Sequence, residues 1–177
     1  MTVLVIPLEA CSQDSVEPPT RAPAETVTAT VTVSATPDVT DTGPRGAVSG
    51  LPIVLRLGNA DELHFRSPSG NIDCWIFGPS YGGGAECVPH QKEFPDPPRR
   101  ACQLDLLPAL RVDAAGVTTY GDCRGDVVGV PGDNVLEYGT AARGGSITCG
   151  AQPTGVTCLN PDTGHGFTLS RASYTIF

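Results

Sequence analysis

Seven cysteines, at positions 11, 74, 87, 102, 123, 149 and 158, are the side chains of this sequence most able to do chemistry, and their spacing separates two kinds of it. A tetrahedral zinc site draws on close pairs such as C-x-x-C, whose two thiolates reach one ion together. The tightest interval here, Cys149 to Cys158, skips eight residues, so neither a metal site nor another cofactor is expected. Six cysteines in a small glycine-rich domain read instead as three disulfides. Disulfides in turn place the chain in an oxidising compartment outside the cytoplasm.

Catalytic constellations are weaker. "GPSYG", residues 78–82, matches the G-x-S-x-G nucleophile elbow, but Ser80 follows Pro79 in a glycine run between short strands and reads as a turn. His165 in "GHGF" has glycines on both sides that could bring backbone N–H groups near a ligand; a tight turn whose imidazole packs or caps is the simpler reading. Arg124-Gly125-Asp126 spells an adhesion tripeptide too short to carry weight. No two carboxylates are held together by local spacing, and Asp105 and Glu137 read as solvated charges. For binding, "VPHQKEFPDPPRRAC" presents Phe94 with the adjacent pair Arg99 and Arg100 on a proline-stiffened loop, an anchor combination suited to a protein partner. Its plainer reading is a long connection. His165 and Arg171 complete the candidate contacts: a cleft converging on either would favour an enzyme, a projecting loop a binding module.

These residues need elements to position them. With 21 Gly and 17 Pro in 177 residues, the folded part is smaller than the chain. "ELHFRS" alternates, with Leu63 and Phe65 on one face, and "NIDCWIFG" groups Ile72, Cys74 and Ile76. Short strands broken by Gly, Pro and Asn recur to the end; the best helical stretch, "QLDLLPALRV", is broken by Pro108. The expected fold is mostly β, a small antiparallel sandwich or barrel of short strands with disulfide-stapled hairpins. In "SITCGAQPTGVTCLN" the turn "QPTG" folds Cys149 onto Cys158 and puts Ile147 and Val156 on the same face. Cys74 and Cys87 likewise flank the bend "GPSYGGGAE", which leaves Cys102 for Cys123. Cross-strand pairs of this kind fall in the usual Cα window of roughly 4.4 to 6.8 Å.

The region before the domain has a different texture. "LEAC" places Leu8 and Ala10 before Cys11 as a bacterial lipobox does, although Glu9 departs from that pattern. Cys11 is therefore the expected lipidation site, residues 1–11 the remnant of a signal peptide whose apolar region begins upstream. Residues 12–50 hold no aromatic side chain and read as a disordered Thr/Pro/Ala-rich tether with a reach of about 35 Å. The β domain is expected over residues 51–177. A net charge of -8 with no basic run longer than two argues against nucleic acid, and no stretch is long and apolar enough to span a bilayer. Membrane contact is expected through the lipid alone.

"FRSPSGNIDCWI", "CRGD", "VLEYGTAARGGSITC", "GVTCLN" and "TGHGFTLSRASYTIF" together resemble a small six-cysteine domain family of unknown function found in exported proteins and lipoproteins of actinobacteria. The likeness covers about residues 61 to 177 and rests on the blocks GNI-x-C, LxYG and GHGF-x-LSR. It implies export and paired cysteines, with no established activity, and does not extend to "HQKEFPDPPRR". The favoured reading is an exported, lipid-anchored cell-envelope protein acting as a binding or inhibitory module on an envelope or extracellular protein or ligand. A secreted hydrolase with an unrecognised site and a structural cell-wall interaction protein are the alternatives.

Overall fold

The computed structural model describes residues 43–59, 61–98, 101–125 and 134–177; Cys11, Arg99, Arg100, Asp126 and the segment up to residue 42 on which the tether expectation falls lie outside them. Alternation decides which side chains turn inward. In β2 (Glu62–Arg66), Leu63 and Phe65 are buried while the residues between them stay partly exposed, as a period of two requires. β3 (Ile72–Phe77) sends Ile72, Cys74 and Ile76 into the same core. β1 (Ile53–Arg56) precedes them. After them come β4 (Gly84–Pro89), β5 (Asp105–Asp113), β6 (Thr118–Arg124), β7 (Thr140–Gly144), β8 (Ile147–Gln152), β9 (Gly155–Leu159), β10 (Gly166–Leu169) and β11 (Tyr174–Ile176). Hydrogen bonding sorts these into a five-stranded sheet, β2-β3-β4-β5-β6, and a six-stranded sheet, β1-β7-β8-β9-β10-β11. β1 runs parallel to β7; the other named pairs given a direction are antiparallel. β3 faces β7, β4 faces β8 and β5 faces β10, so the inner faces close one core around Phe65, Ile76, Leu110, Ile147 and Phe167. Of the two architectures expected, the sandwich forms.

The disulfides are Cys74–Cys87 and Cys149–Cys158, as turn chemistry predicts, and Cys102–Cys123, the pair left by elimination. Cys74 and Cys87 are register partners across β3 and β4, and Cys149 and Cys158 across β8 and β9. Each bridge spans directly opposed residues of an antiparallel pair, and their Cα separations, 4.1 and 4.0 Å, fall just below the expected window. The two bridges come from different sheets and meet at the centre of the core, with Cys87 Sγ 3.7 Å from Cys158 Sγ. Cys74, Cys87 and Cys158 thus lie as close as metal ligands would. Their sulfurs are oxidised to disulfides, and only a thiolate binds metal.

Two expectations change. "QLDLLPALRV" is not a broken helix but most of β5, and Pro108 sits in a bulge where the register with β6 shifts between Leu107 and Leu110. A bulge accommodates the missing N–H that an uninterrupted ladder could not. The folded part also begins before residue 51. Residues 43–50 form a turn in which Val48 is buried, and Val48 and Leu51 rest on Gly150, where a Cβ would come within 2.8 Å of each. One apolar side chain with a glycine to receive it is enough to dock a segment that composition assigns to the tether.

Candidate functional site

The loop between Cys87 and Cys102 folds back onto the domain. Phe94 is partly buried, its ring 5.1 Å from that of Tyr174 and 6.0 Å from that of Tyr120. Lys92 Nζ stands 5.3 Å over the same ring, and the Tyr120 hydroxyl donates to the Pro95 carbonyl at 2.7 Å. Tyr120 belongs to the last strand of one sheet and Tyr174 to the last strand of the other. The loop therefore closes the side of the sandwich, and Phe94 is occupied in doing so. Burial first, then Tyr174 and Asp96, push the Tyr120 phenol up to about 12. His165 takes the turn role: its Nδ1 lies 3.3 Å from the Phe177 carbonyl, beside the paired backbones of Gly166 and Phe177. Ser80 lies in a 3-10 turn, its backbone N–H donating to Asp61 Oδ2 at 2.9 Å.

Arg171 stands elsewhere, in a cleft of about 420 Å³ at one end of the sandwich. Five segments converge there: the β2–β3 turn with Ser67, Ser69, Gly70, Asn71 and Ile72; His90 and Gln91 after β4; Tyr138 before β7; the β8–β9 turn with Gln152 and Thr154; and the β10–β11 turn with Ser170 and Arg171. Both sheets contribute loops because hairpin turns at the same end of a sandwich must cluster.

The walls are held by their own hydrogen bonds. Asn71 clamps the chain beyond β4, its Nδ2 donating to the Gln91 carbonyl at 3.0 Å and its Oδ1 accepting from the Gln91 N–H at 2.9 Å. Ser67 Oγ accepts from the Ile72 N–H at 3.1 Å and lies 3.0 Å from Ser69 Oγ. The side chain of Asp73 is 8% exposed and bridges two residues, with Arg66 Nε at 3.0 Å and His90 Nε2 at 2.7 Å. That contact orients the imidazole, and His90 Nδ1 has no hydrogen-bond partner among the described residues. Arg171 Nε pairs with Glu93 Oε1 at 3.1 Å with both side chains about 60% exposed, a contact worth little in stability and easily exchanged for a ligand. No carboxylate lines the cleft.

Of the contacts expected from sequence, the cleft holds Arg171; Phe94 and His165 lie outside it. Ser67, Asn71, His90 and Tyr138 come from the structure. A signal for two of them was present: Asn71 belongs to GNI-x-C and Tyr138 to LxYG, while Arg171 ends GHGF-x-LSR. The three blocks that carry the family resemblance thus meet around one cavity.

These features define a disulfide-bonded β-sandwich with a polar, loop-built cleft at one end. The chain belongs to a family of unknown function, DUF6636, whose model matches residues 48–177. Comparison with curated proteins and with solved structures finds no match.

Proposed function

We propose that this is an exported, lipid-anchored binding module of the cell envelope, and that its cleft takes a short ligand rich in hydroxyl and amide groups, such as an amino sugar. The observation that carries this reading is the meeting of GNI, LxYG and LSR in one cavity. Serine, threonine, asparagine and glutamine both donate and accept, which suits a ligand that does the same. The Tyr138 ring, with the residue 42% exposed, offers a flat apolar face beside them. Arg171 favours a neutral or acidic ligand over a cationic one. Three disulfides support export, and no helix among the described residues is long and apolar enough to cross a membrane. The cleft at Arg171 and the folded-back Phe94 loop are the features that favour an enzyme, so a secreted hydrolase is the second reading, with the Asp73–His90 pair as its base; among the described residues no hydroxyl is hydrogen-bonded to His90.

Titration of the ¹⁵N-labelled protein with a trimer of N-acetylglucosamine is expected to move the amides of residues 67–72, 138 and 152–154. Tyr138→Ala and Arg171→Gln should each weaken binding by about tenfold, the loss of one good contact. Shifts scattered over other faces, or unchanged affinity in Tyr138→Ala, would remove the cleft from consideration. For the anchor, cells given an alkyne fatty acid should label the wild type and not Cys11→Ser; equal labelling of both would exclude Cys11.

A further inference from the structure

A second cavity, about 360 Å³ and sharing no lining residue with the cleft, lies where residues 43–51 cross the outer face of the six-stranded sheet. Its floor is Thr148 and Leu159, which are register partners on β8 and β9, and Arg143 of β7 pairs in register with Thr148. Arg45, Val48 and Ser49 of the crossing segment form one wall, with Pro161 also lining the space. The Arg45 guanidinium lies over Gly164, at a place a Cβ would occupy. Arg56 is the register partner of Arg143 on the neighbouring parallel strand.

Three observations make this groove unusual for an acidic protein. Arg45, Arg56 and Arg143 make no ion pair among the described residues. Arg56 and Arg143 are opposed in register on adjacent strands, which sets two like charges on one face where an anion would be favoured. Charge is also divided between the halves: residues 43–59 and 134–177 carry four arginines and two carboxylates, whereas residues 61–98 and 101–125 carry nine carboxylates against four lysines and arginines. The net charge of -8 thus conceals an excess of arginine over acidic side chains in the segments of the six-stranded sheet.

We infer that this groove binds an amphiphilic phosphate, its phosphate held by Arg45 and Arg143 and its apolar portion resting against Val48, Leu51, Ile53 and Pro161. Guanidinium groups match phosphate oxygens with paired N–H donors, and the Thr148 hydroxyl at the floor adds a further donor. The apolar wall selects a phosphate that carries a hydrocarbon group over the free ion.

The test uses the full-length chain and three probes at low salt: dodecyl phosphate below its micellar concentration, inorganic phosphate, and the uncharged surfactant dodecyl maltoside. Dodecyl phosphate should bind at least tenfold more tightly than either of the others and shift the amides of residues 45–51, 143, 148 and 159. Arg45→Gln with Arg143→Gln should lower its affinity at least tenfold with an unchanged melting curve. Should the double variant fail to fold, the single change Arg143→Lys, which keeps the charge and loses the fork, should lower affinity about threefold or more. Equal binding of inorganic phosphate would show a site for the free anion and overturn the amphiphilic ligand. Equal binding of the maltoside, unchanged affinity in the variants, or shifts away from the groove would overturn the site itself.

Discussion

Reduction is expected to unfold this domain, and in two stages. The bridges close loops of 13, 21 and 9 residues. Chain entropy assigns these about 2.9, 3.3 and 2.6 kcal/mol, or about 9 kcal/mol together, against a typical domain stability of about 5 to 15 kcal/mol. Cys102 and Cys123 are partly exposed, whereas the four cysteines of the other two bridges are each 0–1% exposed and stacked at the centre of the core. A thiol reductant needs access to the sulfur it attacks. Cys102–Cys123 should therefore open first with the β signature in circular dichroism retained, and the two core bridges should open together as that signature collapses. Mass spectrometry after alkylation during a dithiothreitol time course reads the order directly. Four free core thiols in a protein that still melts at its original temperature would disprove the dependence.

The second large effect is expected on the outer face of the five-stranded sheet. Glu86 sits on β4 between Trp75 and Arg111 in register, and its side chain is fully buried. Arg124 of β6 reaches it, with Nη2 at 3.2 Å from Oε1 and 3.3 Å from Oε2, while its Nε pairs with Asp122. The guanidinium also lies 5.9 Å from the centre of the Trp75 ring. Removing one member of a buried ion pair costs about 3 to 5 kcal/mol, because the other charge stays out of water with less to stabilise it. Arg124→Met should accordingly lose that much in urea unfolding, and adding Glu86→Gln should restore about half or more, since the buried charge is then gone. A loss below about 1 kcal/mol in Arg124→Met would mean that Arg124 is not what keeps the Glu86 charge stable inside the protein.

The same arginine opens the "RGD" tripeptide, whose Asp126 lies outside the described residues. Its guanidinium is engaged with Glu86 and Asp122, so the structure gives this Arg a role inside the domain.

Local patterns were readable wherever local chemistry fixes them. The alternation of "ELHFR" and "NIDCWIF" sets which residues face the core, because side chains of a strand must point to opposite sides in turn. "QPTG" and the bend after β3 bring their flanking cysteines into opposition, and with four of six assigned the third pair followed. Pro108 misled because a proline interrupts helix and strand alike, and the bulge that tolerates it depends on β6, a separate segment. The anchor reading of Phe94 rested on a stiff loop with an aromatic tip, but Tyr120 and Tyr174, far apart in sequence, receive that ring.

From the chain alone come the β class, the strand faces, the bridges and the distinct texture of the N-terminal region, all products of short-range stereochemistry or composition. Sheet order, the pairing of β1 with β7, the docking of Val48 on Gly150, the cleft that gathers Asn71, His90, Tyr138 and Arg171, and the cationic groove beneath a net negative charge come from folding. Each joins residues separated by tens of positions, where spacing carries no geometric constraint and the contact exists only once the two inner faces have buried their apolar surface against each other.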